Sequence, residues 1–267
     1  MDIQIVEITP ERAQELLDGS NGFQNRKLKR RLFDKLVRDI QAGEFVLNGE
    51  SIKIDSQGQV IDGQHRLRAC IQAERSIQTV LVQGVATEAY RTVDHGAARG
   101  FSDTLRMEGR KNAAALSGAV LLVWRIETGR VLHSAPSTES ESARVLDAHP
   151  GLEPWVRVIN SDTVLRRISG GVVTPSALFT LFSEIDEELA GSFYERLSEG
   201  IGFDGTEDPS FILRRRLERD SVLERRAHRV SIAAWYVKAW NLLHAGKTCV
   251  RLIWGKKEGF PKMSGLA

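Results

Sequence analysis

The segment Ile61-Asp62-Gly63-Gln64-His65-Arg66-Leu67-Arg68-Ala69 joins an apolar strand to a helix through a short polar turn. A glycine in such a turn lets the backbone approach a ligand closely. The N–H groups at the start of the helix carry a partial positive charge that favours phosphate. Arg66, His65 and Arg68 add side-chain donors near that end, and the planar fork of arginine suits phosphate oxygens. The segment therefore predicts a phosphate-binding turn.

A structural interpretation of the same residues stays open. In this interpretation Asp62 caps the helix, His65 lies at the surface, and the arginines pair with nearby acids. A glycine and an arginine three positions apart are weak evidence by themselves. The strand before the turn and the helix after it are what favour the phosphate site.

The composition is that of an ordinary globular protein. Of 267 residues, 42% are hydrophobic and 27% are charged, with a net charge of +2 that does not by itself indicate a nucleic-acid binder. The two cysteines, Cys70 and Cys249, fit a reducing compartment and exclude a cysteine zinc site, while a single disulfide stays open. No apolar run approaches the roughly 20 residues that span a bilayer, and the N-terminus lacks the pattern of a signal peptide. We therefore expect a cytoplasmic protein that has no membrane partner.

The hydrophobic pattern changes near residue 97 and predicts an α+β protein. Short β-branched runs alternate with helical periodicity over residues 1–97, and helical patterns alone dominate residues 98–267, so we predict two domains with these bounds. In the first domain, strands are predicted at Ile3–Ile8, in a hairpin that turns at Ser56-Gln57-Gly58, at Ile77–Val85 and at Tyr90–Val93, and helices from Thr9 and over Asn25–Ala42. In the second domain, helices are predicted from Phe101 and Thr138 and over Asn112–Glu127, Leu152–Asn160, Pro175–Glu188, Asp208–Arg219 and Val222–His244, with a strand at Val250–Trp254.

Two segments concentrate positive charge. The start of the helix over Asn25–Ala42 carries Arg26, Lys27, Lys29, Arg30 and Arg31, for which a solvated helix face and a phosphate-facing patch are both open. The second segment begins at Arg214, Arg215 and Arg216 and is interleaved with acids further on. For it, a salt-bridged helix face and a contact with the DNA backbone are both open.

Residues 48–54 and 60–70, followed by the strand at Ile77–Val82, resemble the ParB/sulfiredoxin superfamily. Its members share a Gly-x-x-Arg box between a strand and a helix. Asn25-Arg26 lies where ParB proteins often have a Pro-Arg pair. The resemblance covers about residues 1–100 and implies a ParB/sulfiredoxin-like domain with a small mixed sheet. Segments of the remainder, such as Arg214–Leu217 and Leu252–Trp254, resemble uncharacterised ParB-like proteins of actinobacterial phages, which implies a phage protein in the host cytoplasm.

The resemblance implies that the box binds a nucleoside triphosphate, either ATP or CTP. The matching positions are Gly63, Gln64, His65 and Arg66, and we expect Arg68, Arg26 and Arg99 to add contacts to the nucleotide. Sulfiredoxins carry their catalytic cysteine where this chain has Gln64, which argues against sulfiredoxin chemistry. The form Asp-Gly-x-His-Arg is closer to a kinase-like branch of the superfamily.

We therefore expect a phosphotransferase or a nucleotide hydrolase that uses Mg²⁺, with His65, Asp62 and Glu50 as candidate catalytic residues. The alternative is a ParB-like DNA-binding protein in which the nucleotide acts as a switch, with Arg214, Arg215 and Arg216 facing DNA. Residues 100–200 show no convincing helix-turn-helix, which weakens sequence-specific DNA recognition. The histidines lack the spacing of a metal site, so no metal ligands are predicted among them. The oligomeric state and the acceptor substrate stay open.

Overall fold

The computed structural model describes residues 1–20, 28–86, 100–133, 135–222 and 228–266. Within these residues the protein is α+β, as predicted, with one four-stranded mixed sheet and twelve α-helices. The chain divides into two compact units, Met1–Ala98 with Pro136–Ser140, and Arg99–Ala135 with Glu141–Ala267. The predicted strand at Tyr90–Val93 lies outside the described residues.

The first unit is built on a sheet with strand order β1-β4-β2-β3. Its strands are β1 (Asp2–Ile8), β2 (Ser51–Asp55), β3 (Val60–Asp62) and β4 (Ile77–Val85). β2 and β3 form the predicted antiparallel hairpin, while β4 runs antiparallel to β1 and parallel to β2. Parallel neighbours need a crossover connection. The segment that leaves β3 supplies it, so the polar turn after Asp62 lies where the crossover begins.

Three helices belong to this unit, namely α1 (Pro10–Asp18), α2 (Arg30–Ala42) and α3 (Gln64–Ala73). α1 starts as predicted, because the Thr9 side chain accepts a hydrogen bond from the Arg12 N–H at 3.2 Å. α2 ends at Gly43 in a left-handed conformation, but it begins at Arg30 rather than at the predicted Asn25, because Lys29 is extended. Together the helices and the sheet enclose a core that includes Ile8, Ile40, Ile52, Ile54, Leu67, Ile77 and Leu81.

In the described residues of the second unit, the regular structure consists of α-helices and one short 3₁₀ turn at Lys256–Glu258. Its helices are α4 (Phe101–Met107), α5 (Ala113–Glu127), α6 (Glu139–Ala148), α7 (Leu152–Ser161), α8 (Thr163–Ile168), α9 (Val173–Ile185), α10 (Glu187–Glu199), α11 (Pro209–Val222) and α12 (Arg229–His244). No helix in the described ranges combines the length and the apolar character that crossing a membrane requires.

Two helices of this unit were not predicted, and both begin at an aspartate. Asp162 accepts the Leu165 N–H at 2.8 Å and starts α8, and Asp186 accepts the Leu189 N–H at 2.9 Å and starts α10. Because Asp186 is extended, it also ends α9 at Ile185, where the prediction ran on to Glu188.

The predicted strand at Val250–Trp254 was wrong. The segment is not helical or part of a sheet, and basic side chains donate hydrogen bonds to its carbonyl groups. Arg216 donates to the Leu252 carbonyl at 2.9 Å, and Lys238 donates to the Ile253 carbonyl at 2.5 Å. A chain with these bonds satisfies its backbone without a neighbouring strand.

The core of the second unit is centred on α9, in which Thr174–Phe182 is continuously buried. Phe182 stacks on Trp240 with ring centroids 4.4 Å apart and ring planes 7° apart. The buried Tyr236 hydroxyl forms a hydrogen bond with Ser169 Oγ at 2.6 Å, so this buried polar group has a partner within the core. The interpretation of the tryptophans as core residues is confirmed for Trp124, Trp235, Trp240 and Trp254.

Candidate functional site

Gly63 makes the turn between β3 and α3 possible, for a reason internal to the fold. Its φ is +95°, a left-handed value that residues with a Cβ rarely adopt. A Cβ at this position would lie 2.8 Å from Ile52 Cγ1 and 3.1 Å from Ile52 Cα. Ile52 is fully buried on β2. The glycine therefore lets β2 approach the turn. From the sequence, the need for a glycine had been explained by the approach of a ligand.

Asp62 holds the turn in place through both of its carboxylate oxygens. Oδ1 accepts the Gly63 N–H at 2.7 Å, and Oδ2 accepts Lys53 Nζ at 2.7 Å. The side chain is mostly buried and lies 3.7 Å from the Arg66 guanidinium. Because three donors already surround Asp62, its role in this geometry is to position the turn.

Lys53 is a cation of the site that the sequence analysis missed. It lies on β2 directly opposite Asp62 in the hairpin register, and its side chain is 28% exposed. The signal for it was present, since residues that face each other across a predicted hairpin interact. To use that signal, the pairing of β2 with β3 would have had to be predicted residue by residue.

Arg66 is mostly buried at the start of α3 and is incompletely satisfied. Its side chain is 12% exposed, and Nη1 lies 3.3 Å from Glu50 Oε2, a charged contact without hydrogen-bond geometry. Nη1 is buried and has no hydrogen-bond partner among the described residues. Glu50 itself is 65% exposed. The guanidinium group can therefore accept a further anionic partner without giving up a hydrogen bond at Nη1.

The N-terminal ends of two helices meet at this turn. The Lys29 N–H, at the N-cap of α2, donates to His65 Nε2 in the first turn of α3 at 2.9 Å. Neither helix has a side-chain cap from any residue the structure describes, and neither has an acid in its first turn. The His65 ring must be unprotonated at Nε2 to accept this bond. His65 thus links the two helix ends and brings their partial positive charges close together.

The other residues that were predicted to contact the nucleotide differ in their position relative to Arg66 and His65. Arg68 is exposed and lies two residues beyond Arg66, which places it on a different face of α3. Lys29, Arg30 and Arg31 are exposed at the start of α2. Arg26 and Arg99 lie outside the described residues, as does Lys27.

The arginines predicted to face DNA belong to α11, and two of the three are used within their own unit. Arg214 donates to the Leu197 and Ser198 carbonyls at 2.5 and 3.0 Å, at the end of α10. Arg216 donates to the Leu252 carbonyl and lies over the Trp235 ring at 3.8 Å. Arg215 is the member of the trio that is exposed. The three guanidinium groups therefore do not form one surface for a phosphate backbone.

Comparisons of the chain with family models, with curated proteins and with solved structures found no match. The assignment of the site therefore depends on the geometry of the turn between β3 and α3 and on its sequence.

Proposed function

We propose that the protein binds a nucleoside triphosphate at the turn between β3 and α3, with the phosphates at the meeting ends of α2 and α3. One observation carries the proposal. Two helix N-termini that no described side chain caps are joined by the Lys29–His65 hydrogen bond, next to Arg66, whose buried Nη1 has no hydrogen-bond partner in the described residues. Each helix end contributes a partial charge of about +0.5, and an arginine fork matches phosphate oxygens.

The resemblance of the turn to the ParB/sulfiredoxin box supports a nucleotide over a simpler anion. The cations around the site support the same choice, because Lys53 and Arg66 are partly buried and Lys29, Arg30 and Arg31 are exposed nearby along α2. ATP and CTP are the candidates we test first.

The proposed reaction is transfer of a phosphoryl group or hydrolysis, with Glu50 as the base. Of the three predicted catalytic residues, Asp62 is bonded to Lys53 and to the turn, and His65 accepts the Lys29 N–H. Glu50 is exposed and contacts Arg66 through one oxygen only. Its backbone is anchored, since its carbonyl accepts Thr79 Oγ1 at 3.1 Å. Glu50 is thus the carboxylate best placed to take a proton from water or from a hydroxyl group.

Mg²⁺ fits this site only together with the nucleotide. In the described part of the chain, no three histidine, cysteine or acidic side chains are grouped as metal ligands. Mg²⁺ in nucleotide sites is held mainly by phosphates with one or two carboxylates, and when bound it neutralises charge on the transferred group. Because the oxygens of Asp62 are already bonded, Glu50 would be the protein ligand.

Calorimetric titration with ATP, CTP, GTP and UTP, with and without Mg²⁺, tests the binding step. Arg66→Ala should weaken binding by about 10- to 100-fold, the loss expected for hydrogen bonds to a charged group. Arg68→Ala is the matched control on the other face of α3 and should change affinity by less than about twofold. Arg66→Ala that binds every nucleotide as tightly as the wild type would disprove the phosphate site.

A second variant separates binding from folding. Gln64→Glu places an acid in the first turn of α3, where it interacts favourably with the helix dipole but repels phosphate. We expect a folded protein with an unchanged circular dichroism spectrum and no measurable nucleotide affinity. A folded Gln64→Glu protein that binds nucleotide normally argues against phosphate at this helix end.

Product analysis tests the role of Glu50. If Glu50 is the base, Glu50→Gln should retain nucleotide affinity and lose turnover by about 10²- to 10⁴-fold. If Glu50 instead binds Mg²⁺, the variant should lose the increase in affinity that Mg²⁺ gives the wild type. Unchanged turnover together with an unchanged effect of Mg²⁺ would exclude both roles.

A further inference from the structure

The second unit contains a basic cleft that the proposed nucleotide site does not use. The cleft lies between α11 and the segment at residues 250–252 and has a volume of about 590 Å³. Its cationic side chains are Arg215, Arg216, Arg219 and Arg251. Four guanidinium groups around one concave surface form a site for an anion or for several anions.

The positive charge of the cleft is only weakly compensated. Glu218 is the acid among the described residues that line it, and its carboxylate already accepts Arg214 Nε at 2.8 Å. Arg219 lies 3.6 Å from Asp220, and the Arg219 side chain is 62% exposed. A surface pair of this kind is weak and easily replaced. The cleft therefore keeps an excess of positive charge toward an incoming ligand.

Apolar side chains lie beside these arginines, and one of them is largely exposed to water. Ile212, Val250 and Leu252 line the cleft, and Val250 is 71% exposed. A second hollow of about 430 Å³ on Arg251 and Leu252 includes Ile253, which is 52% exposed. Exposed aliphatic groups next to an arginine cluster match a ligand that is both anionic and apolar.

Arg216 is half-buried in the cleft and is not fully satisfied. Its Nη1 donates to the Leu252 carbonyl, and its Nε is buried without a hydrogen-bond partner in the described ranges. Burial lowers the pKa of Arg216, which shows that its environment disfavours the charge. A carboxylate in the cleft would relieve this cost.

We propose that the cleft binds a short acidic peptide segment of a partner protein, with carboxylates on Arg215, Arg219 and Arg251 and an aliphatic side chain against Val250 and Ile212. Single-stranded nucleic acid normally needs aromatic rings on which its bases stack. None of the described residues that line this cleft is aromatic. Arginine forks bind carboxylates in a bidentate manner, and the aliphatic lining matches leucine, isoleucine or valine. This inference does not depend on nucleotide binding.

The test uses the full-length protein and a synthetic array of peptides of about nine residues, in which glutamates surround one leucine at varied spacing. Matched arrays replace glutamate with serine or with lysine, or leucine with serine. Fluorescence anisotropy then measures the affinity of the best peptide, and a single-stranded oligonucleotide of equal charge competes with it. We expect glutamate–leucine peptides to bind at least about tenfold more tightly than the serine–leucine and glutamate–serine peptides.

Variants locate the binding on the cleft. The double variant Arg215→Glu and Arg251→Glu changes two exposed side chains and should weaken peptide binding by more than about tenfold. Val250→Asp should weaken it similarly by removing the apolar contact. Arg157→Glu, an exposed charge reversal on α7 outside the cleft, should leave binding unchanged. Tryptophan fluorescence checks that each variant is folded.

Three results would overturn the proposal. The first is an array in which glutamate–leucine peptides bind no better than their serine counterparts. The second is peptide binding that the folded double variant retains. The third is an oligonucleotide that binds this cleft more tightly than any acidic peptide, which would assign the arginines to nucleic acid.

Discussion

At the scale of single residues, substitutions of Gly63 and Gly58 can distinguish the cost of backbone strain from the cost of a steric contact. Both have positive φ values, +95° and +84°, but only Gly63 has a close neighbour where a Cβ would lie, in Ile52. Gly58→Ala should therefore cost about 1 kcal/mol of stability, the cost of a left-handed conformation. Gly63→Ala should cost about 2–4 kcal/mol, because overpacking against β2 is added. Amide hydrogen exchange of peptides from residues 52–61 measures both losses.

Equal losses in the two variants would contradict the contact with Ile52. The outcome also bears on the nucleotide site, because a ligand is not needed to explain Gly63. The sequence predicted a glycine-dependent turn here. It could not predict the neighbour, since the distance from Gly63 to Ile52 is set by the pairing of β2 with β3 and β4. Lys53 and Asp62 illustrate the same limit, because they are nine residues apart in the chain and 2.7 Å apart in space.

At the scale of elements, His65 links α2 to α3, and its removal should affect both helices. His65→Ala removes the acceptor of the Lys29 N–H and should cost about 0.5–1 kcal/mol, the lower range for a hydrogen bond, since the bond is exposed. Nucleotide affinity should also fall by about two- to fivefold if α2 contributes its helix dipole. Hydrogen exchange at the start of α2 and calorimetry measure the two effects.

Arg68→Ala, on the same helix, is the control for His65→Ala and should change neither quantity. Faster exchange at α2 with normal nucleotide affinity would mean that α2 lies near the turn but does not contribute to the phosphate site. Normal exchange at α2 would show that the bond between Lys29 and His65 does not hold the helix end.

Arg214 and Arg215 are adjacent in α11, but the fold uses them differently. Arg214 bonds to the last carbonyls of α10 and to Glu218, and its guanidinium carbon lies 2.8 Å from where a Cβ on Gly200 would be. Arg214→Ala should therefore cost about 1–3 kcal/mol, and Arg215→Ala less than about 0.5 kcal/mol. Urea unfolding followed by tryptophan fluorescence measures the difference, and equal effects would contradict the capping of α10.

The elements show which sequence signals suffice. The long apolar helix α5 was predicted within about one residue, since its apolar composition is a local property of the chain. α10 was missed although Asp186 is a good N-cap, because the apolar run before it reads as a single helix. The segment at residues 250–254 has a strand composition, but a strand needs a neighbour, and Arg216 and Lys238 instead bind its carbonyls.

At the scale of the whole molecule, the two units have separate hydrophobic cores and can be observed separately. The change of hydrophobic pattern near residue 97 could be recognised from the sequence, because the helical periodicity of the second part is a local property of the chain. All five tryptophans lie in the second unit, at positions 124, 155, 235, 240 and 254. Tryptophan fluorescence therefore reports the unfolding of the helical unit, while circular dichroism reports both.

His149 makes the stability of the helical unit depend on pH. The ring is buried between two acids: Nδ1 lies 2.8 Å from Glu184 on α9, and Nε2 lies 2.8 Å from Glu127 at the end of α5. A neutral imidazole can donate to only one of these carboxylates, whereas the protonated ring donates to both. Burial lowers the pKa of His149, but the bonds to Glu184 and Glu127 outweigh burial, so the pKa lies above its usual value of 6.5.

Because the folded unit holds the proton more tightly than the unfolded chain, protonated His149 stabilises the fold. This stabilisation is complete below the unfolded pKa and is lost as the pH rises through the folded one. The melting temperature of the second unit, followed by tryptophan fluorescence, should therefore fall as the pH rises from about 6.5, the usual pKa of histidine, through the raised pKa of the folded state. His149→Gln should remove most of this slope, while His133→Gln, at an exposed histidine, should preserve it. A slope that persists in folded His149→Gln would assign the pH dependence to other groups and leave His149 a structural link between α5 and α9.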